Sequence, residues 1–199
     1  MAYSILSSSE GCYPNTTVLK NKLNLKSQEA LDEAERISVT VRTAQALQQA
    51  YEEPFTFAFY CELHKKLFGD IYDWAGQLRT VDISKKGTNF YPAHELQHMG
   101  EAKFQWLQSE HEFCSQLSFE DFAYCVADFY HELNMLHPFR EGNGRTQRLF
   151  FTLLIRRAGY DINFADCDTD LLMFATIHAA HGIMDHLNQF FLESIIKFR

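Results

Sequence analysis

The chain has 199 residues, of which 46% are hydrophobic and 22% charged, and its formal net charge is −8. This size and composition predict a soluble globular protein whose core is rich in aromatic side chains, because 18 residues are phenylalanine. The acidic balance argues against proteins that bind nucleic acids or anionic membranes, since both classes carry basic patches. No apolar stretch is long enough for a membrane span and the N-terminus has no signal-like region, so we expect a cytoplasmic protein.

Cysteine usage suggests the same compartment. The chain has five cysteines, and none of them has the CxxC spacing of a metal or redox site. We therefore expect reduced thiols, as is usual in a cytosol. These cysteines are Cys12, Cys61, Cys114, Cys125 and Cys167.

In chain order, the first elements are predicted to be helices. Ser27 is a suitable N-cap for a helix whose apolar residues recur at helical spacing and which ends before Pro54. A second helix is predicted over 55–68. A short third helix is predicted over 71–75, ending at Gly76.

In the next segment the hydrophobic residues change from helical spacing to alternation, which predicts one β-hairpin over about 80–92. Val81 and Ile83 alternate with polar neighbours, and the turn signal at 85–87 precedes a β-prone run that ends at Pro92. Helices are then predicted over about 93–109, 119–136, 143–158 and 168–198. With no repeats or linkers, the pattern predicts an all-α fold with one hairpin, in a single domain over 1–199.

The most informative segment is the run from His137 to Arg148, HPFREGNGRTQR. Pro138 predicts that the preceding helix ends near His137, and a new helix is expected to begin close to Asn143. The turn 142–144 then lies at a helix N-terminus, where backbone N–H groups have no intrahelical partner and an anion is favoured. Gly142 and Gly144 allow a phosphate to approach that backbone without a Cβ in the way.

Two arginines follow this turn. Arg145 and Arg148 are three residues apart and share a helix face, in the first turns where a positive side chain opposes the helix dipole. A bound polyphosphate would reverse the sign of that interaction, because a guanidinium binds phosphate oxygens in bidentate fashion. The segment therefore predicts a base at His137, a metal-binding carboxylate at Glu141, a phosphate cradle and two anion-binding arginines.

The segment resembles the signature of the Fic family, H-x-F-x-[D/E]-G-N-G-R-x-x-R, at every defined position. The likeness extends to the runs LHKKLF at 63–68 and IYDWAG at 71–76, to Arg79, and to DISKKGTNF at 82–90, which is similar to the family's flap. Residues 13–22 are similar to the N-terminal segment, here 1–26, of small bacterial members. The resemblance implies a helical bundle with one β-hairpin flap and transfer of AMP from ATP to a protein hydroxyl.

The resemblance also assigns roles to individual residues. It implies that His137 is the general base toward a Tyr, Thr or Ser hydroxyl and that Glu141 binds Mg²⁺. The turn Gly142, Asn143 and Gly144 would bind the α-phosphate, with an additional donor from the Asn143 side chain. Arg145 and Arg148 would hold the β- and γ-phosphates, completing the active-site loop 137–148.

The flap carries the remaining nucleotide-binding expectation and the docking of the target. The residues expected near the nucleotide are Lys86, Gly87, Thr88 and Asn89. A strand edge on the flap would hold an extended segment of the target protein by main-chain hydrogen bonds.

Regulation is expected to come from another molecule. Many relatives carry S/T-x-x-x-E-G/N on an inhibitory helix, but no Ser or Thr of this chain has Glu four residues later. We expect a toxin or effector that is restrained by a separate antitoxin-like protein acting on Arg148, in the bacterial cytosol or in that of a host cell.

Three alternatives remain open at this stage. His94, Glu95 and His98 form HExxH, which would indicate a zinc hydrolase if a third ligand joined them. A Fic fold can transfer another nucleotide or phosphate, and an adaptor can keep the fold without catalysis. The intact His137 and the unaltered turn favour AMP transfer.

Overall fold

The computed structural model describes residues 4–5, 11–49, 54–85, 87–111 and 117–197, and within these ranges it is mostly helical. Seven α-helices lie in the described part of the chain. They are α1 (Gln28–Gln48), α2 (Phe57–Phe68), α3 (Leu96–His111), α4 (Phe119–Leu136), α5 (Asn143–Arg157), α6 (Thr169–Ala180) and α7 (Asp185–Ser194), with a 3-10 turn at Ala93–Glu95. The all-α prediction is confirmed.

Helix α5 is central to the core and packs against α1, α2 and α4. It buries polar residues at its start and a run from Leu149 to Ile155 that is apolar except for Thr152. Phe150 has no exposed surface and contacts the rings of Phe55, Tyr60 and Phe104. An aromatic core of this kind holds the first turn of α5 in place, and that turn belongs to the active-site loop.

Local signals in the sequence position several helix ends correctly. The Ser27 hydroxyl accepts a hydrogen bond from the backbone N–H of Ala30 at the start of α1. Helix α4 ends at Leu136, with His137 as its C-cap, and α5 begins at Asn143. These ends depend on neighbouring residues only, so the sequence alone predicts them.

Two helix predictions are wrong. Residues 71–75 form consecutive turns and not a helix. The helix predicted over 168–198 is two helices, α6 and α7, separated at Gly182, whose φ of 86° is left-handed. After α7 the chain forms a short strand, β5 (Ile196–Lys197), which pairs with β4 (Tyr160–Asp161).

The predicted hairpin is present and carries a third strand. β2 (Ile83–Lys85) pairs antiparallel with β3 (Thr88–Asn89), and β1 (Ser4–Ile5) pairs with the other edge of β2. The strand order β1-β2-β3 leaves β3 at the edge of this sheet. The flap, residues 80–92, contains the β2–β3 hairpin.

The prediction of reduced thiols is wrong for Cys125, which is disulfide-bonded. The thiols of Cys12, Cys61 and Cys167 are not in disulfide bonds. Cys114 lies outside the described residues. In the described part of the chain, no helix combines the length and apolar character that a bilayer crossing requires.

Candidate active site

His137 lies where α4 ends, and its backbone is left-handed, with φ 42° and ψ 57°. Its N–H donates to the carbonyl of Leu133 at 3.1 Å and so closes the last turn of the helix. The ring Nδ1 lies 3.1 Å from the carbonyl oxygen of Asn134. Because a carbonyl only accepts, Nδ1 carries the proton of the neutral ring, and Nε2 holds the lone pair that a general base needs.

The His137 ring is enclosed from the flap side. It stacks on the ring of Phe90 with centroids 3.8 Å apart and planes 11° apart, and the residue is only 6% exposed. Burial is the main reason why the pKa of His137 is lowered to about 3; the hydrogen bond with the Asn134 carbonyl opposes this shift, and the positive charges of Lys85 and Arg79 contribute to it. The imidazole is therefore neutral over the whole physiological range.

Arg79 joins the active-site loop to the base of the flap. Its Nε donates to the carbonyl of His137 at 2.9 Å, and its guanidinium also donates to the carbonyls of Val81 and Tyr91. Its backbone N–H donates to the carbonyl of Pro138 at 2.8 Å. The residue is 4% exposed, and burial lowers its pKa to about 10, which leaves it charged at neutral pH. One side chain thus fixes His137 relative to both ends of the flap.

The buried Asn143 side chain stabilises the loop by hydrogen bonds to the main chain of the loop. Its Oδ1 accepts from the N–H of Phe139 at 2.8 Å and its Nδ2 donates to the carbonyl of the same residue at 2.7 Å. The amide is 1% exposed. The Nδ2 group has a second hydrogen beside the one it donates to Phe139, so an Asn143 side-chain donor to the α-phosphate stays a prediction. The Phe139 ring is fully buried.

His64 of α2 is a second brace, which the sequence did not single out. Its Nδ1 accepts from the N–H of Gly76 at 2.8 Å, so Nε2 is the donor to the carbonyl of Glu141, 2.9 Å away. The ring stacks on Phe139 at 3.9 Å and has no exposed surface. Burial lowers the pKa of His64 to about 4. The only signal for this role in the sequence was the likeness of 63–68 to the family.

The turn 142–144 lies at the first turn of α5, as the sequence predicted. Gly142 caps the helix with φ 82°, and its carbonyl accepts from the N–H of Thr146 at 3.0 Å. The N–H groups of Asn143, Gly144 and Arg145 precede that bond and have no intrahelical acceptor. A Cβ on Gly142 would lie 2.5 Å from the Phe68 ring, so this close approach requires glycine.

Glu141 has the features of a single carboxylate in a magnesium–phosphate site. Its Oε1 accepts from the N–H of Gly142 at 2.8 Å, which fixes the orientation of the group, and its side chain is 30% exposed. Mg²⁺ in nucleotide sites commonly takes one or two protein carboxylates and completes its shell with phosphates and water. Glu141 fits that requirement.

The two arginines of the loop differ in their surroundings. Arg145 Nη2 lies 2.5 Å from Glu35 Oε2 and 3.5 Å from Glu141 Oε1, and the guanidinium lies over the Phe68 ring. Arg148 extends alongside Gly144, and no carboxylate in the described part of the chain forms an ion pair with it. Among the described residues, therefore, no carboxylate neutralises the charge of Arg148.

The flap residues that were predicted to lie near the nucleotide differ in their exposure. Thr88 is 8% exposed, whereas Gly87 and Asn89 are exposed, and Lys86 lies outside the described residues. Lys85 lines a cavity of about 760 Å³ together with Glu35, Arg140, Glu141 and Arg145. This cavity adjoins the carboxylate and first arginine of the loop.

The HExxH segment does not form a metal site. Its first half lies in the 3-10 turn before α3, and the side chains of His94 and Glu95 are 79% and 48% exposed. His98 is exposed as well. Within the residues that the structure describes, no group of three or more His, Cys, Asp or Glu side chains is arranged to hold a metal ion.

The chain is similar in sequence to known proteins over most of its length. The chain is 37% identical over 173 residues to a probable protein adenylyltransferase of Sinorhizobium fredii, covering 86% of this chain and 88% of the relative. It is 32% identical over 185 residues to the protein adenylyltransferase VbhT of Bartonella schoenbuchensis, covering 93% of this chain but only 38% of that longer protein.

A solved structure with the same fold is the VirB-translocated effector BepC of Bartonella tribocorum, with bound AMPPNP. It superposes with a TM-score of 0.89 at 25% identity, over 95% of this chain and 97% of the other. The model of the Fic/DOC family matches residues 54–155, which include His64, the flap and the active-site loop. The chain therefore belongs to the Fic/DOC family.

Proposed function

We infer that this chain is a protein adenylyltransferase, an enzyme that transfers AMP onto proteins. Relatives of 37% and 32% identity carry this activity in their names. The observation that carries the inference is the pairing, on one braced loop, of a neutral His137 imidazole with the open N-terminus of α5. That pairing combines proton acceptance with stabilisation of negative charge, the two needs of transfer from a nucleotide.

We further propose a role for each predicted residue. The α-phosphate of ATP lies against the N–H groups of Asn143, Gly144 and Arg145, and the β- and γ-phosphates against Arg145 and Arg148. The His137 imidazole takes the proton of a Tyr, Thr or Ser hydroxyl of the target protein. The hydroxyl oxygen forms the new bond to the α-phosphorus while the bond to the bridging oxygen breaks and pyrophosphate leaves. Mg²⁺ held by Glu141 would offset the charge of the phosphates.

The flap is proposed to complete the site from the other side. Lys86, Gly87, Thr88 and Asn89 would lie near the nucleotide, and an extended segment of the target would dock along the flap. The support is the contact between Phe90 and the His137 ring, which puts the end of the flap against the proposed base. We treat 1–199 as one Fic domain.

We propose that restraint of the enzyme comes from a separate antitoxin-like protein. An inhibitory carboxylate would pair with Arg148, and among the described residues no carboxylate does so. The protein would act as a toxin or effector in a cytosol, where ATP and protein targets are present. Full inhibition of the isolated chain, relieved by mutating one of its own glutamates, would contradict this arrangement.

The test uses ATP labelled at either the α- or the γ-phosphate, a cell lysate, and the pure protein. The wild type is expected to label lysate proteins from the α-position only, and His137→Ala to lower the rate by about 10²–10⁴-fold. Mass spectrometry should then find the added mass of AMP. Labelling from the γ-position would indicate phosphate transfer instead, and no labelling from either position would indicate an adaptor.

A further inference from the structure

Glu35 is a buried carboxylate that no part of the proposed reaction uses. It lies in the middle of α1, before the segment matched by the family model, and its side chain is 7% exposed. Its Oε1 accepts a hydrogen bond from the hydroxyl of Tyr72, and its Oε2 lies 2.5 Å from Arg145 Nη2. A buried carboxylate is unfavourable unless it is paired, so the contact with Arg145 is a specific one.

The contacts of Arg145 fix its guanidinium on two sides. Glu35 engages one terminal nitrogen, and the ring of Phe68 lies 4.7 Å from the guanidinium carbon. In the described part of the chain, Nε and Nη1 of Arg145 have no hydrogen-bond partner. The ion pair therefore holds the guanidinium and leaves donors for another anion.

A second carboxylate lies within reach of the same nitrogen. Glu141 Oε1 is 3.5 Å from Arg145 Nη2, a full ångström farther than Glu35 Oε2. If the charge of Glu35 were removed, the nearest carboxylate to Arg145 among the described residues would be that of Glu141. Arg145 would then move toward Glu141 and away from the position it has now.

We infer that Glu35 is a positioning residue for nucleotide binding. It holds Arg145 so that the remaining donors of the guanidinium face the β- and γ-phosphates, and it keeps the Arg145–Glu141 ion pair at 3.5 Å instead of a closer contact. Glu35, Glu141 and Arg145 all line the cavity of about 760 Å³, so the pair borders open space into which a polyphosphate can extend. The inference rests on the proposed function, because it assigns a polyphosphate to Arg145.

The principal test is Glu35→Gln, which keeps the shape of the side chain and an acceptor for Tyr72 but removes the charge. We expect ATP affinity, measured by calorimetry in EDTA and again with Mg²⁺, to fall about tenfold, as is typical of a broken contact within one network. In the AMP-transfer assay, KM for ATP should rise by a similar factor, while kcat at saturating ATP stays within about twofold.

Glu33→Gln is the matched control. Glu33 lies on the same helix and also pairs with an arginine, Arg36, at 2.6 Å, but its side chain is 55% exposed. It undergoes the same change of charge outside the site, so ATP affinity should not change. The wild type and this control test the proposed function, and Glu35→Gln tests only the inference.

A double-mutant cycle with Arg145→Ala distinguishes an effect of Glu35 through Arg145 from a merely structural role of Glu35. If Glu35 acts through Arg145, Glu35→Gln should weaken ATP binding no further once Arg145 is absent. Additive effects, unchanged ATP affinity or tighter ATP binding would each overturn the inference, since tighter binding would make Glu35 a competitor of the phosphates. If Glu35→Gln does not fold, Glu35→Asp decides by the same measurements, because its carboxylate is withdrawn from Arg145 by one carbon.

Discussion

The active-site loop and the flap meet at the contact between His137 and Phe90, but they are built in opposite ways. In the loop, buried side chains from distant elements bind the main chain, as His64 does at Glu141 and Arg79 at His137. The flap consists of strands of three and two residues held by main-chain pairing. Groups that perform chemistry need fixed positions, whereas a surface that docks extended protein segments needs an accessible edge.

The difference in packing between the loop and the flap is tested by making the same substitution in both regions. Gly142 and Gly87 both have φ 82°, so alanine meets the same backbone strain at each. At Gly142 the new Cβ would also lie 2.5 Å from the Phe68 ring, whereas at Gly87 no atom lies within 4 Å. We expect Gly142→Ala to lower the free energy of unfolding by about 3 kcal/mol or more and to abolish AMP transfer.

Gly87→Ala is the control for this prediction. Backbone strain alone should lower the free energy of unfolding by about 1–2 kcal/mol, and AMP transfer should persist. Urea unfolding of both variants provides the measurement. Equal losses of stability would mean that the loop is no more tightly packed than the flap.

The same contrast explains which features could be read from the sequence. The end of α4 at Leu136 and the start of α5 at Asn143 depend on neighbouring residues and on helical spacing, and both were predicted correctly. Gly142 is required at its position by a ring that is distant in sequence, yet it is recognisable because the requirement admits only one residue type.

The braces of the site could not be derived in this way. His64 and Glu35 contact the loop across long separations in sequence, and no local pattern distinguishes them from ordinary core or helix-surface residues. The strand pair β4–β5 has two residues on each side, too few to show alternation. Gly182 inside a predicted helix was the one local sign of the break between α6 and α7.

The second prediction concerns pH, because the loop depends on a buried histidine. The folded-state pKa of His64, about 4, is below the value of about 6.5 expected in the unfolded chain. As the pH falls, the unfolded chain therefore takes up the proton first, and protonation favours unfolding. The effect is absent above about pH 6.5 and grows as the pH falls toward 4, where it should reach about 3 kcal/mol.

His64→Gln tests this dependence, because glutamine does not titrate in this range. Urea unfolding between pH 8 and pH 4 covers both the folded-state and the unfolded-state pKa of His64. As the pH is lowered over this range, the free energy of unfolding should fall less steeply for His64→Gln than for the wild type. His94→Gln, at a side chain that is 79% exposed, should keep the wild-type slope. Parallel curves for wild type and His64→Gln would show that His64 is not protonated on unfolding.

The smallest expected effect is on the flap, where β3 presents the outer edge of the sheet. The N–H of Phe90 donates to the carbonyl of Ile83 at 3.4 Å, so by antiparallel alternation the intervening pair of Ser84 and Asn89 is not hydrogen-bonded. The main-chain groups of Asn89 then point outward, where a docked segment would pair with them. Asn89→Pro removes the N–H donor, and Asn89→Ala keeps it.

Loss of one such hydrogen bond should lower the rate of AMP transfer to lysate proteins by roughly fivefold in Asn89→Pro. Asn89→Ala should resemble the wild type, because the proposed docking uses the main chain and not the amide. If the two variants lost activity equally, the side chain would be the recognised group, and the flap would then be as dependent on particular residues as the active-site loop.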